Sequence, residues 1–180
     1  MSAGNRDGVW RDRDTADAPS HAFDPLEEPD LFRGVLTRRA FAFLIDLIVM
    51  SIPVILAVIF IAVFGVLTLG LGWALFWLVS PATVVWALIY YGSTLGGPHS
   101  ATIGMRIMDL ELRTWYGAPG YFVLGAAHAV LFWISISVGS PLVLLVGLLN
   151  GRRRLLHDFV LGTVVVNNSV RQPFAQPARY

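Results

Sequence analysis

From Ala40 to Met105 the chain carries one formally charged residue, Asp46, and no other feature limits its fold as strongly. About twenty apolar residues cross the roughly 30 Å hydrocarbon core of a bilayer. The stretch from Ala40 to Leu69 exceeds that length and holds this single carboxylate. Over the whole chain 56% of residues are hydrophobic and 14% charged, whereas soluble domains carry about a quarter charged residues. The sequence is therefore matched to lipid as its solvent.

Three apolar runs organise the chain. The first, Ala40 to Leu69, reads as a spanning helix that Pro53 kinks and whose excess length tilt absorbs. Gly70 and Gly72 then mark a turn. The second, Trp73 to Tyr91, has Trp73 and Trp77 at one end and Tyr90 and Tyr91 at the other, the aromatic belts of a membrane helix. The third, Tyr121 to Leu149, contains Gly139, Ser140 and Pro141 near its middle, so it reads either as one tilted helix or as a hairpin of two short ones. Arginine placement bears on that choice. Arg38 and Arg39 precede the first run, Arg106 and Arg113 lie between the second and third, and Arg152, Arg153 and Arg154 follow the last. Cytoplasmic loops are enriched in arginine, and putting all three groups on that side requires an even number of crossings around the middle loop. The expected fold is an all-α membrane protein, a small multi-pass helical bundle of four membrane segments, the last two short, with both termini cytoplasmic.

Outside the bundle, Met105 to Arg113 alternates loosely between apolar and polar residues, and Thr163 to Val166 is β-branched. The first pattern suits a short strand or an interfacial segment and the second a strand, so a small cytoplasmic β pair between Arg106–Leu112 and Thr163–Val166 is expected. Residues 1–35 read as a polar tail of mixed charge with no apolar core of the kind a secretory signal needs. Residues 36–167 form the membrane domain, and 168–180 a short polar C-terminal tail.

Several function classes receive no support. All 13 basic residues are arginine and the net charge is +1, so no basic face of nucleic-acid-binding density is expected. The chain has no cysteine, and its four histidines are too scattered for a metal-ligand spacing, so neither a metal nor another cofactor is expected. No nucleophile elbow, phosphate loop or HExxH helix is present, and enzyme activity is not expected.

Ionisable residues at the membrane boundary carry what remains. Asp46 in an apolar helix costs roughly 2.5 to 3.5 kcal/mol on insertion scales and needs a partner or a wet cavity. Arg39 lies on the same helix face two turns earlier, its backbone about 10 Å away, so a direct pair needs the full reach of its side chain. Asp46 reads either as a proton or cation site or as a helix-to-helix hydrogen-bonding residue. Asp158 stands beside His157 in RRRLLHDF, and His128 interrupts the third apolar run. A histidine there relays protons or bonds across helices.

Three segments carry a family resemblance: RRAFAFLID (38–46), GGPHSATIGMRIMDLELR (96–113) and RRRLLHDFVLGTVVV (152–166). In this order, over about residues 36 to 167, they resemble the RDD family of bacterial membrane proteins, named for one arginine and two aspartates. On that resemblance the named residues are Arg39, Asp46 and Asp158, with His128, His157 and Arg106 as secondary candidates. Ile103 and Met105 stand where proline and lysine are expected, and His128 where many members have arginine. The resemblance implies a multi-pass bacterial inner-membrane protein. It implies as function exchange of monovalent cations for protons or transport of another small solute, for which so small a bundle would need a homo-oligomer; the alternative, to which Gly65, Gly125 and Ala129 lend close helix contacts, is a non-catalytic accessory or scaffold role in a larger membrane complex.

Overall fold

A computed structural model describes residues 23–171. Residues 1–22 and 172–180, which fall in the expected tails, lie outside the described residues. Helix α1 spans Val35–Leu67 and α2 spans Phe76–Leu95, joined by a 3-10 turn at Leu71–Leu75. With that turn included, both are long and apolar enough to cross a membrane. Their apolar side chains point outward: Ile48, Leu56, Phe60, Val66 and Trp77 are all more than half exposed. An apolar surface this continuous is not tolerated in water, and lipid covers it without penalty. Gly70, at φ 99°, sets the reversal between the helices. There the Trp73 ring packs against Gly65, where any Cβ would overlap it.

Six elements follow α2 among the described residues. They are α3 (Ile103–Ile107), β1 (Leu110–Thr114), α4 (Phe122–Leu149), α5 (Leu156–Leu161), β2 (Thr163–Asn167) and α6 (Asn168–Arg171). The expected β pair forms, antiparallel, from Leu110↔Asn167 to Thr114↔Thr163. Its first strand begins later than expected, because residues 103–107 are helical. Thr102 caps that turn, its Oγ1 accepting from the Met105 amide at 3.1 Å, and Arg106 therefore sits on a helix. Strand β2 is buried along its whole length, and its side chains alternate. Val165 joins a core with Val35, Ala42, Leu95, Leu110 and Leu112, while Val164 and Val166 pack on Phe23, Leu31 and Phe32. Residues 23–35 are thus not a tail, as expected from their charge: three large apolar side chains among them close the outer face of β2. The buried core collects at one end of the bundle, around the small sheet.

The third apolar run is one helical element in its backbone pattern, α4. Straight, its 28 residues would extend about 42 Å. Its two ends nevertheless return to the same end of the bundle: Gly125 lies on Tyr91 and Leu95, and Gly147 lies between Leu36 and Leu155. Val35 and Leu95 belong to one core cluster, so both ends of α4 pack near that core. Gly125 and the buried Ala129 are spent on packing inside this chain.

Candidate functional site

Two buried carboxylates organise the core end of the bundle, and their surroundings differ. Asp46 is 3% exposed. Its Oδ1 accepts from the Tyr90 hydroxyl at 2.6 Å and the Gly104 amide at 2.8 Å, and its Oδ2 accepts from the Thr102 hydroxyl at 2.5 Å. The Tyr90 oxygen in turn accepts from the Ile103 amide at 3.3 Å. All the donors are neutral. One carboxylate therefore ties α1 to α2 and satisfies the opening turn of α3, whose free amides need an acceptor. The close approach depends on Gly104, where a Cβ would overlap the carbonyl oxygen of Ala42. Gly104→Ala is expected to push α3 off α1 and cost about 2 kcal/mol, read as a lowered melting temperature in detergent. An unchanged melt would show that α3 docks by other contacts.

Asp158 is fully buried and has a cation. Arg39 donates to both of its oxygens, Nη1 to Oδ2 at 2.5 Å and Nη2 to Oδ1 at 3.2 Å, the fork geometry that suits arginine to carboxylates. The Leu155 amide donates to Oδ2 at 2.8 Å and Thr163 Oγ1 to Oδ1 at 3.5 Å. Burial alone would push this carboxyl up, but Arg39, helped by His128 and His157, outweighs it and holds Asp158 well below the usual carboxylate range. Burial pushes the His157 imidazole down to about 4, with Asp158 opposing and Arg39 reinforcing the shift. His157 is neutral at pH 7, and its Nε2 lies 3.4 Å from Arg39 Nη2. Arg154 supports the cluster from outside. It donates to the carbonyls of Thr163 and Asp158, both at 2.8 Å, with its guanidinium over Trp115 and Phe159 at 4.4 and 4.2 Å.

His128 meets His157 edge to face at 4.6 Å, and its Nδ1 is 3.8 Å from Asp158 Oδ1. One donor atom each from His128, His157 and Asp158 falls within a 4.8 Å radius of the others, the raw material of a metal site. Arg39 already occupies the same carboxylate and touches the same His157 nitrogen. A divalent ion there would face a fixed guanidinium, so the residues present fit a metal poorly.

Of the residues singled out in sequence, Arg39, His128, His157 and Asp158 come together. The Arg39–Asp46 pair that the sequence left open does not form: Arg39 turns to Asp158, 119 positions away. A cavity of about 70 Å³ joins the two centres, lined among others by Arg39, Asp46, Thr102 and His128, with room for more than one water. Arg106 faces elsewhere, onto a separate cleft. Sequence reasoning missed Tyr90 and Thr102. Tyr90 reads as an interfacial aromatic, and nothing local announces that its hydroxyl turns inward to a carboxylate 44 positions away.

The sequence model described as RDD family matches residues 33–162. No curated protein and no solved structure matches the chain.

Proposed function

The chain belongs to the RDD family, and from that premise we propose that it exchanges monovalent cations for protons across a bacterial inner membrane, with Asp46 as the exchanging carboxylate. One observation supports this reading above the rest. Asp46 is buried with no cationic partner among the described residues, bonded only to two hydroxyls and an amide, beside a cavity large enough for water. An unpaired carboxylate in a low-dielectric interior is strongly disfavoured, and a proton or a bound cation removes that penalty. Hydroxyls suit the exchange, because each donates to a bare carboxylate and turns its lone pairs toward a cation. Arg39 and Asp158 neutralise each other and form the fixed frame. Packing of both ends of α4 near the same core supports four membrane segments with both termini cytoplasmic, and so thin a wall favours a homo-oligomer.

The test separates the roles. Asp46→Asn keeps the local bonds, since the amide oxygen accepts from Tyr90 and Gly104 while its NH₂ donates to the reversible Thr102 hydroxyl. Cation-driven proton flux in vesicles is expected to vanish in Asp46→Asn, with the melting temperature close to that of the unaltered chain. Flux that persists in the variant, or that is absent from the unaltered chain, removes the proposal.

A second reading, an accessory protein in a larger membrane complex, draws on the saturation of Asp46 by three donors. All of its bonds then serve the fold. Stoichiometric co-purification with a larger membrane assembly, together with no flux, favours it.

A further inference from the structure

The fold accounts for Thr102 and Gly104 of the Thr102-Ile103-Gly104-Met105-Arg106 segment, through Asp46, but makes little use of Arg106. Its Nε donates to the Ala101 carbonyl at 3.4 Å, and its two terminal nitrogens have no partner among the described residues. They face a polar cleft of about 410 Å³ whose lining includes His99, Glu111, Arg113 and Asn168. Arg113 gives one nitrogen to Glu111 at 2.8 Å. Two arginines against one carboxylate leave the cleft a net positive charge, and its open fork belongs to Arg106. Planar guanidinium forks are matched to phosphate oxygens.

The position of the cleft narrows the source of that phosphate. It opens at Pro98, just past the end of α2 at Leu95, where the chain leaves its apolar segment. On α3, Ile103 and Ile107 stand one turn apart and are 38% and 62% exposed. Residues at i and i+4 share a helix face, so an apolar strip runs beside the Arg106 fork. Soluble phosphate uses no such strip, whereas acyl chains do. We propose that this cleft binds the phosphodiester headgroup of an anionic phospholipid, with Arg106 as its main contact and the acyl chains lying along Ile103 and Ile107. The proposal stands independently of cation exchange.

The full-length protein, delipidated in neutral detergent, is mixed with phosphatidylglycerol, with phosphatidylcholine or with inorganic phosphate, and retained lipid is read by native mass spectrometry. Phosphatidylglycerol is expected to be retained over phosphatidylcholine, and Arg106→Gln to lower its affinity about fivefold, the worth of one arginine at an anionic surface. Arg106 is exposed and makes one long bond, so the variant should melt like the unaltered chain. Arg106→Lys, which keeps the charge, should recover part of the loss. Arg153→Gln, altering a half-buried arginine outside the cleft whose Nη1 bonds the Leu148 carbonyl, should change retention little. Equal retention by Arg106→Gln overturns the proposal, as does an equal loss in Arg153→Gln, which would mean general surface charge. Displacement of phosphatidylglycerol by inorganic phosphate would identify a soluble anion as the occupant and overturn the lipid.

Discussion

Arg39→Ala is expected to lower stability by about 3–5 kcal/mol, because removing one partner of a buried ion pair leaves the other as an uncompensated charge. Asp158 has no exposure, and the guanidinium is the main influence holding its carboxyl below the usual range against burial. Typical domains are stable by only about 5–15 kcal/mol, so the single variant should accumulate poorly and melt early in detergent. The loss reaches beyond the pair itself. Asp158 also accepts the amide that opens α5, and α5 delivers β2 into the core, so freeing Arg39 unpins the C-terminal strand from the first helix. The double variant Arg39→Ala/Asp158→Asn removes both charges together and is expected to be more stable than Arg39→Ala alone. That rescue in a double-mutant cycle is the signature of the pair. A single variant melting within about 1 kcal/mol of the unaltered chain would mean that water already reaches the site and the pair is worth no more than a surface salt bridge.

This pair marks where sequence reasoning stopped. The apolar runs, the turn at Gly70 and the β-branched strand at residues 163–167 are local patterns, and each reappears as an element. Partnership is not local. On one helix, Arg39 and Asp46 share a face, yet their spacing exceeds easy reach, and the better-placed carboxylate arrives from the far end of the chain. The expectation of a strand from Met105 onward failed for a related reason. Loose alternation in sequence was overridden at residues 103–107 by the Thr102 cap and by the Asp46 carboxylate accepting the Gly104 amide. Charge misled at residues 23–35, where polar composition masked Phe23, Leu31 and Phe32, the side chains that cover β2. The middle of the third run was legible only as a choice, since glycine and proline there permit a reversal without requiring one.

The protein should also lose stability as pH falls from about 6.5 to about 4, and His157 should account for much of that loss. In the folded chain burial pushes its imidazole down to about 4 from the ordinary 6.5, so between these values the unfolded chain binds a proton that the folded chain refuses. Stability falls wherever the unfolded state binds more protons as pH drops. The contribution is complete above pH 6.5 and approaches a loss on the order of 3 kcal/mol by pH 4. Asp158 acts in a lower window. Its carboxyl, held below its ordinary value of 3.8, stabilises the fold above that value and gives this up as pH falls further. The groups facing His157 are Asp158, Arg39 and His128, with Phe132 against its ring at 5.4 Å. His157→Gln removes the titration while leaving a polar side chain, and should flatten the stability profile between pH 6.5 and 4. His128→Gln is the comparison that isolates the second imidazole. Melting temperature against pH in detergent reads all three proteins, and a His157→Gln profile as steep as that of the unaltered chain would place the acid sensitivity elsewhere.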